Sequence, residues 1–219
     1  MIKNLIFDFD GVIVDSEILA SRAFFNYLTN KGHKLTEEDL YRYAGMKTAK
    51  VIDVLSKKYK INDKKKFSND ILNLVSQVYS KDLQLIDGFR NFLLSSNRNH
   101  FIGSNSNKER IIEGLSIVGL SNDFSNNKIY SFDMVKNPKP DPDVYLKVID
   151  DNNLKINETL IIEDSGIGVK AGYLAGPKVF GLTAGKHWYS NRDKNELYNN
   201  GAISVFDDYQ TLSKAIEEL

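Results

Sequence analysis

The apolar residues of this chain follow two different patterns. Six short runs are apolar almost without interruption, at residues 5–7, 101–103, 129–132, 160–162, 179–182 and 202–206. Runs of this kind are typical of strands that are buried on both faces, and amphipathic segments with helical spacing lie between most of them. The pattern predicts an α/β fold, in which a Rossmann-like parallel sheet is sandwiched by helices.

One long segment, residues 16–83, lacks any strand pattern and carries apolar stripes at helical spacing instead. Within it, Thr36 and Asp39 have the spacing of a helix N-cap and its third helical residue. We expect about four helices in this segment. The chain is therefore predicted to form two domains, an α/β core of residues 1–15 and 84–219 and an all-helical domain of residues 16–83 inserted into it.

Composition and charge exclude several classes of protein. The chain has 219 residues with 29 basic and 29 acidic side chains, and a formal net charge of zero argues against binding nucleic acid or an anionic membrane through bulk charge. The absence of cysteine excludes disulfides, thiolate catalysis and cysteine-based zinc sites. The first residues do not resemble a signal peptide, and no run approaches the roughly 20 apolar residues of a membrane span. We therefore expect a cytoplasmic protein.

Acidic residues follow the first and the fourth of the six runs. Asp8 and Asp10 come after the first run, and Glu163 and Asp164 come after the fourth. In an open parallel sheet, ligands bind beyond the carboxyl ends of the strands, where these residues would lie. Acids at the end of a buried strand are costly unless they bind a metal or pair with a cation. Taken alone, Asp8 and Asp10 are also compatible with a capped turn whose acids are solvated.

Two further segments carry groups suited to an anion. Ser104 and Asn105 follow the second run just before a predicted helix, whose N-terminus would attract phosphate, although both residue types are also ordinary helix caps. Lys139 stands between Pro138 and Pro140, and their rings restrict the backbone and limit where the lysine points. These segments favour a phosphate site near the acids.

Four motifs occur in this order along the chain: Asp8-x-Asp10, Ser104, Lys139 and Glu163-Asp164. In this arrangement the sequence resembles the haloacid dehalogenase superfamily over essentially its whole length. The helical segment lies where the beta-phosphoglucomutase-like branch carries its cap, so the resemblance implies a haloacid dehalogenase-like core with an inserted helical cap domain. An acid at position 10 is typical of the phosphatases and phosphomutases of the superfamily, and its dehalogenases lack it.

The resemblance also implies roles for the acids. Asp8 would attack phosphorus and form an aspartyl-phosphate, and Asp10 would act as general acid and then as general base. Mg²⁺ would be the cofactor, held by the Asp8 carboxylate, the Asp10 backbone carbonyl and Asp164. Glu163 would lie near the metal or in its outer shell.

The remaining candidate residues would bind the substrate. By the same resemblance, Ser104 and Lys139 would hold the phosphoryl oxygens, Lys139 taking part in catalysis, and Asn105 would be a further donor. Lys47 lies in the region where relatives carry a specificity loop and would meet a second anionic group. The phosphoglucomutases of this branch usually have an arginine near that loop, whereas this chain has Thr48 at about that position.

The sequence therefore predicts a Mg²⁺-dependent phosphatase of a small phosphorylated metabolite, such as a sugar or sugar-acid phosphate. Local fragments of the helical segment resemble bacterial sugar-phosphate phosphatases, including those assigned to 6-phosphogluconate. A beta-phosphoglucomutase-type isomerase is the alternative enzyme, and a non-catalytic binding protein is the alternative of another class. The expected partner is the phosphorylated small molecule, with neither nucleic acid nor membrane, and the chain is expected to be a monomer or weak homodimer. We expect His33 and His100 to lie at the surface, and His187 and Trp188 to serve packing rather than to contact the substrate.

Overall fold

The computed structural model describes residues 1–41, 43, 48–189 and 192–219. Within them a parallel sheet contains the strands β1 (Asn4–Phe7), β2 (Asn99–Ser104), β3 (Ile129–Ser131), β4 (Thr159–Glu163), β5 (Lys178–Leu182) and β6 (Ser204–Phe206). Their order in the sheet is β3-β2-β1-β4-β5-β6. The predicted α/β fold with a parallel sheet is confirmed.

The strand order makes β1 the centre of the sheet. The chain first builds outward through β2 and β3, and then crosses to the other side to add β4, β5 and β6. Phe7, the last residue of β1, pairs with Ile102 of β2 and Ile162 of β4. Asp8 therefore follows β1 at the point where the order of the strands reverses, which is where open parallel sheets bind their ligands.

The helices are α1 (Glu17–Asn30), α2 (Glu38–Tyr41), α3 (Thr48–Lys58), α4 (Lys64–Asp82), α5 (Phe89–Ser95), α6 (Lys108–Ile117), α7 (Asp143–Asp151), α8 (Gly166–Ala175), α9 (Asn195–Asn199) and α10 (Tyr209–Glu217). Helices cover both faces of the sheet because successive strand residues point to opposite sides. Ile6 packs in one apolar cluster with Val148 of α7 and Val169 of α8. Phe7 packs on the other face against Phe89 of α5, with ring centroids 5.6 Å apart. Each fully buried side chain of this size contributes about 1.5–3 kcal/mol, so burial on both faces holds β1 in place.

The chain divides into two compact units, one of residues 1–14 and 85–219 and the other of residues 15–84. The first unit contains the sheet and α5 to α10. The second contains α1 to α4 around an apolar core of its own, to which Leu28 and Phe67 belong.

The start of α2 forms as its sequence predicts. The backbone N–H of Thr36 donates to the Asp39 carboxylate at 2.8 Å, and the backbone N–H of Asp39 donates to the Thr36 hydroxyl at 3.3 Å. These reciprocal bonds satisfy two donors that a helix N-terminus would otherwise leave without partners.

The burial of His100 differs from its prediction. As the sequence predicts, His100 lies near an element boundary, because β2 begins one residue earlier, at Asn99. It is partly buried rather than at the surface, and its ring centroid is 5.8 Å from that of Phe7. Burial, with Lys128 and Arg98 nearby, lowers the pKa of His100 to about 4.

Among the described residues, no helix combines the length and the apolar character that a membrane span requires.

Candidate active site

Asp8 lies directly after β1 and is buried. Its backbone N–H donates to the carbonyl of Ile162 in β4 at 3.0 Å, which continues the pairing of the two strands by one residue. The chain then turns tightly, because the N–H of Gly11 donates to the carbonyl of Val14 at 2.8 Å. Gly11 has a φ of +80°, and a Cβ there would lie 2.0 Å from an Asp164 carboxylate oxygen. Only glycine suits both this backbone conformation and the close approach to Asp164.

Asp10 is held from the segment that joins β2 to α6. The Ser106 hydroxyl donates to Asp10 Oδ2 at 2.5 Å, and a guanidinium nitrogen of Arg110 lies 3.5 Å from Asp10 Oδ1. Each oxygen of the carboxylate therefore has a donor, which fixes the orientation of the side chain. The sequence predicts no contact with Asp10 for either Ser106 or Arg110. Ser106 lies just before α6 and Arg110 in its first turn, directly after the end of β2. This position beside a strand end was the sequence feature that could have indicated them.

Lys139 is buried between two carboxylates. Its Nζ lies 3.0 Å from Asp8 Oδ1 and 2.6 Å from Glu163 Oε1, and 4.6 Å from the ring centroid of Tyr145. Asn105 holds the backbone of Lys139 on both sides, since its Oδ1 accepts from the Lys139 N–H at 2.9 Å and its Nδ2 donates to the Lys139 carbonyl at 3.1 Å. The side chain of Asn105, predicted to donate to phosphate, is thus engaged in positioning Lys139.

Glu163 is completely buried, and both of its oxygens accept hydrogen bonds. Oε1 accepts from Lys139 at 2.6 Å and from the Tyr145 hydroxyl at 2.8 Å. Oε2 accepts from the backbone N–H of Asp164 at 3.0 Å and from the N–H and hydroxyl of Ser165 at 3.2 and 3.1 Å. These donors hold the Glu163 carboxylate in one orientation, with Oε1 on the Lys139 ammonium. Tyr145, for which the sequence predicts no role in the site, is part of this arrangement.

Asp164 is buried and is contacted by two consecutive residues that follow β5. His187 Nε2 lies 2.7 Å from Asp164 Oδ2, and the Trp188 indole N–H donates to the Asp164 carbonyl at 3.0 Å. The sequence predicts packing roles for His187 and Trp188, whereas both place a polar group on Asp164. Because β5 is the parallel neighbour of β4, the residues after β5 emerge beside Asp164.

Two predicted site residues remain, Ser104 and Lys47. Ser104 ends β2, is buried, and accepts from the Ser106 N–H at 3.1 Å. Ser104 therefore lies at the carboxyl edge together with Asp8 and Asp10. Lys47 lies outside the described residues.

Negative charge exceeds positive charge around Asp8. One oxygen from each of Asp8, Glu163 and Asp164 lies within 4.8 Å of the others, and the one ammonium in contact with this group among the described residues is that of Lys139. Burial raises the pKa of Asp8 well above its ordinary value, Lys139 lowers it, and the neighbouring carboxylates raise it again. Burial and the charge of Glu163 likewise raise the pKa of Asp164. For Lys139, burial alone would lower the pKa, but Asp8 and Glu163 raise it above its ordinary value.

This charge balance fits a divalent cation. Buried carboxylates in excess of their cationic partners either take up a proton, as the raised pKa values of Asp8 and Asp164 indicate, or bind a further cation. The donors are oxygens, which Mg²⁺ prefers, and Asp8 and Asp164 keep more of their ligand capacity than Glu163 does. The residues present therefore fit a Mg²⁺ ion.

Comparison with known proteins agrees with this geometry. The family model for haloacid dehalogenase-like hydrolases matches residues 5–182. The chain belongs to this family. The membership predicted from the sequence is thereby confirmed.

Similar proteins cover most or all of the chain. It is 25% identical over 188 residues to 6-phosphogluconate phosphatase of Escherichia coli, covering 85% of each chain. It is 27% identical over 223 residues to a phosphorylated carbohydrates phosphatase of Thermotoga maritima, covering 99% of this chain and 100% of the relative. Among solved structures, a conserved haloacid dehalogenase-like protein of unknown function from Agrobacterium tumefaciens has a TM-score of 0.87 and 29% identity, over 100% of this chain and 99% of the other.

Proposed function

We propose that this chain is a Mg²⁺-dependent phosphatase that hydrolyses a phosphate monoester of a small sugar or sugar acid through an aspartyl-phosphate on Asp8. The observation that carries the proposal is the buried Asp8 carboxylate, 3.0 Å from the Lys139 ammonium and beside Asp164. A carboxylate in this setting serves as a nucleophile, because the Lys139 ammonium positions it and opposes the rise in its pKa that burial causes. Membership of a hydrolase family and relatives named as phosphatases support the same reaction.

The first step transfers the phosphoryl group to the protein. An oxygen of Asp8 attacks phosphorus, and the bond from phosphorus to the ester oxygen breaks. Asp10, in its acid form, gives a proton to the departing oxygen, which leaves as an alcohol. The hydrogen bond from Ser106 and the contact with Arg110 hold the Asp10 carboxyl group in one orientation for this transfer.

The second step returns the protein to its starting state. Asp10, now a carboxylate, removes a proton from a water molecule whose oxygen attacks phosphorus. The bond between phosphorus and Asp8 breaks, inorganic phosphate leaves, and both aspartates regain their initial forms. Lys139 and Ser104 would donate to the phosphoryl oxygens in both steps and offset their charge.

Asp8 and Asp164 would hold Mg²⁺ with their carboxylates, and Asp10 with its backbone carbonyl. The bound ion would offset the repulsion between the Asp8 carboxylate and the phosphate group. Glu163 would act through Lys139, because its oxygens are already engaged.

We also propose that the helical unit of residues 15–84 is the cap domain and determines the substrate. The choice of a sugar or sugar-acid phosphate rests on the two relatives that are named for such substrates. Lys47, outside the described residues, remains the sequence-based candidate for a second anionic group.

A panel of phosphate esters tests the proposal. Purified protein would be incubated with sugar phosphates, sugar-acid phosphates and nucleotides, with MgCl₂ or with a chelator, and with Asp8→Asn as the inactive control. We expect release of inorganic phosphate that needs Mg²⁺ and Asp8. Phosphorus NMR on glucose 1-phosphate separates the alternative, since a mutase would form glucose 6-phosphate instead. Hydrolysis that persists in the chelator, or in Asp8→Asn, would contradict the proposal.

A further inference from the structure

His187 and Trp188 form a polar contact surface on Asp164 that the reaction steps above do not use. His187 is buried, with 2% of its surface exposed. Its Nε2 is 2.7 Å from Asp164 Oδ2, and the next residue donates from its indole N–H to the Asp164 carbonyl. Two neighbouring side chains thus reach both the carboxylate and the backbone of the same acid.

The surroundings of His187 are shaped to its ring. A Cβ at Gly185 would lie 2.6 Å from two ring atoms of His187, and a Cβ at Gly11 would lie 3.0 Å from the ring. Glycine at both positions keeps this space open for the imidazole. A residue present for packing alone would be apolar, because an imidazole in the interior is costly unless its nitrogens meet polar groups. Here Nε2 lies 2.7 Å from a carboxylate oxygen of Asp164, a polar contact that an apolar side chain could not make.

Trp188 is itself braced from its other side. The Arg192 guanidinium stacks on the indole at 4.0 Å from the ring centroid, and it pairs with Glu196 at 3.3 Å. Glu196 in turn accepts from the backbone N–H of Gly166, two residues after Asp164, at 3.2 Å. The chain after β5 therefore contacts both Asp164 itself and Gly166, two residues further along.

We propose that His187 is a positioning residue for Asp164, and that His187 and Trp188 together hold its carboxylate ready for Mg²⁺. Residues that hydrogen-bond to metal ligands fix their orientation, and their loss typically lowers metal affinity about 10–100-fold. Substitution of His187 would leave Asp8, Asp10 and Lys139 in place and would act through the orientation of Asp164. This inference rests on the proposed Mg²⁺ site.

Trp188 provides a measurement that does not depend on activity. It is the single tryptophan of the chain, and its indole N–H is bonded to the backbone of the acid in question. Mg²⁺ bound at Asp164 changes the electric field at the indole, so a titration with MgCl₂ should change its fluorescence. The shift of the melting temperature with MgCl₂ gives a second reading, since a ligand that binds only the folded state raises it.

The experiment compares His187→Ala, His187→Gln and the control His33→Gln in both titrations. His33 contacts Tyr59, with ring centroids 4.7 Å apart, and has no assigned role in the site. We expect the Mg²⁺ concentration at half-saturation to rise about 10-fold or more in His187→Ala. The rise should be smaller in His187→Gln, whose amide N–H can replace Nε2, and absent in His33→Gln. Far-UV circular dichroism checks the fold, and His187→Gln keeps the test valid if His187→Ala does not fold.

The outcomes separate this inference from the proposed function. Wild-type half-saturation in both His187 variants would overturn the positioning role while leaving the phosphatase proposal intact. A wild-type protein that responds to MgCl₂ in neither titration would overturn the metal site and the inference together. Loss of the response in Asp164→Asn, together with the graded loss at His187, supports both.

Discussion

The hydroxyl of Tyr145 stabilises the buried ion pair of Lys139 and Glu163. It donates to Glu163 Oε1 at 2.8 Å in a buried position. Burial and the negative charge of Glu163 both raise the pKa of Tyr145 well above its ordinary value, so the hydroxyl keeps its proton at neutral pH. Tyr145→Phe removes this one donor and leaves the ring that packs beside Lys139.

The expected loss of stability follows from the acceptor. A hydrogen bond to a charged group contributes about 1.5–3 kcal/mol, and one between neutral groups about 0.5–1.5 kcal/mol. After the substitution, Glu163 keeps its bonds from Lys139, from the Asp164 N–H, and from the N–H and hydroxyl of Ser165. The loss should therefore fall at the lower end for a charged acceptor, about 1.5–2 kcal/mol.

Tyr130→Phe is the matched control. Tyr130 is also buried, but its hydroxyl accepts from the neutral amide of Asn152 at 2.8 Å, and that amide also donates to the Val148 carbonyl. Asp151 also hydrogen-bonds to this hydroxyl, but the group lies closer to solvent than the Tyr145 hydroxyl, so its loss should be about 0.5–1 kcal/mol.

Urea unfolding followed by Trp188 fluorescence reads the unit that contains both tyrosines. We expect the free energy of unfolding to fall more in Tyr145→Phe than in Tyr130→Phe. If the transition state of the catalysed reaction also loses about 1 kcal/mol of stabilisation, kcat falls about fivefold in Tyr145→Phe alone. Equal losses of stability in the two variants, with kcat unchanged in both, would refute the view that Tyr145 supports Lys139 through Glu163.

Three further predictions concern single residues. Asp8→Asn should keep the fold and abolish turnover, because an amide does not displace at phosphorus; more than a few per cent of wild-type kcat would place the nucleophile elsewhere. Asp10→Asn should lower kcat about 100-fold or more on a sugar phosphate, which needs a proton on its leaving group, and a wild-type rate would remove Asp10 from acid–base catalysis. His100 predicts a pH dependence of stability. Its pKa is lowered from about 6.5 in the unfolded chain to about 4, so its contribution is complete above pH 6.5 and is lost as the pH falls toward 4. His100→Gln should reduce the loss of unfolding free energy over that range by about 1–2 kcal/mol. This is less than the full effect of the pKa shift, because the ring is partly exposed to solvent. An unchanged dependence of the unfolding free energy on pH would contradict this.

Local sequence patterns predicted the sheet because its strands are buried on both faces. β1 and β4 each begin with one polar residue, Asn4 and Thr159, and continue with three apolar residues, so their runs stand out from the amphipathic helices around them. The strand ends then indicated Asp8, Asp10 and Asp164, because ionisable residues directly after a buried strand are costly without a partner. Position alone left a capped turn open for Asp8 and Asp10, and the predicted roles came from the family resemblance that the four motifs carry together.

The contacts between distant segments were beyond such patterns. Arg110 reaches Asp10 from a helix 100 residues away in sequence, and Tyr145 reaches Glu163 from the helix before β4. Nothing local distinguishes these side chains from others on amphipathic helices. His187 looked like a packing residue because its partner, Asp164, is brought beside it only by the pairing of β4 with β5.

Capture of the phosphoryl group on Asp8 tests the proposed covalent mechanism most directly. Asp10→Asn would be mixed with p-nitrophenyl phosphate and MgCl₂, quenched in acid, digested and analysed by mass spectrometry. p-Nitrophenolate leaves without a proton, so the first step proceeds, whereas the second step lacks its base. We expect the peptide containing Asp8 to gain the mass of one phosphoryl group at that residue, and the Asp8→Asn, Asp10→Asn double variant to gain none. Release of p-nitrophenolate by Asp10→Asn with no phosphoryl group on Asp8, or with one on another residue, would contradict it.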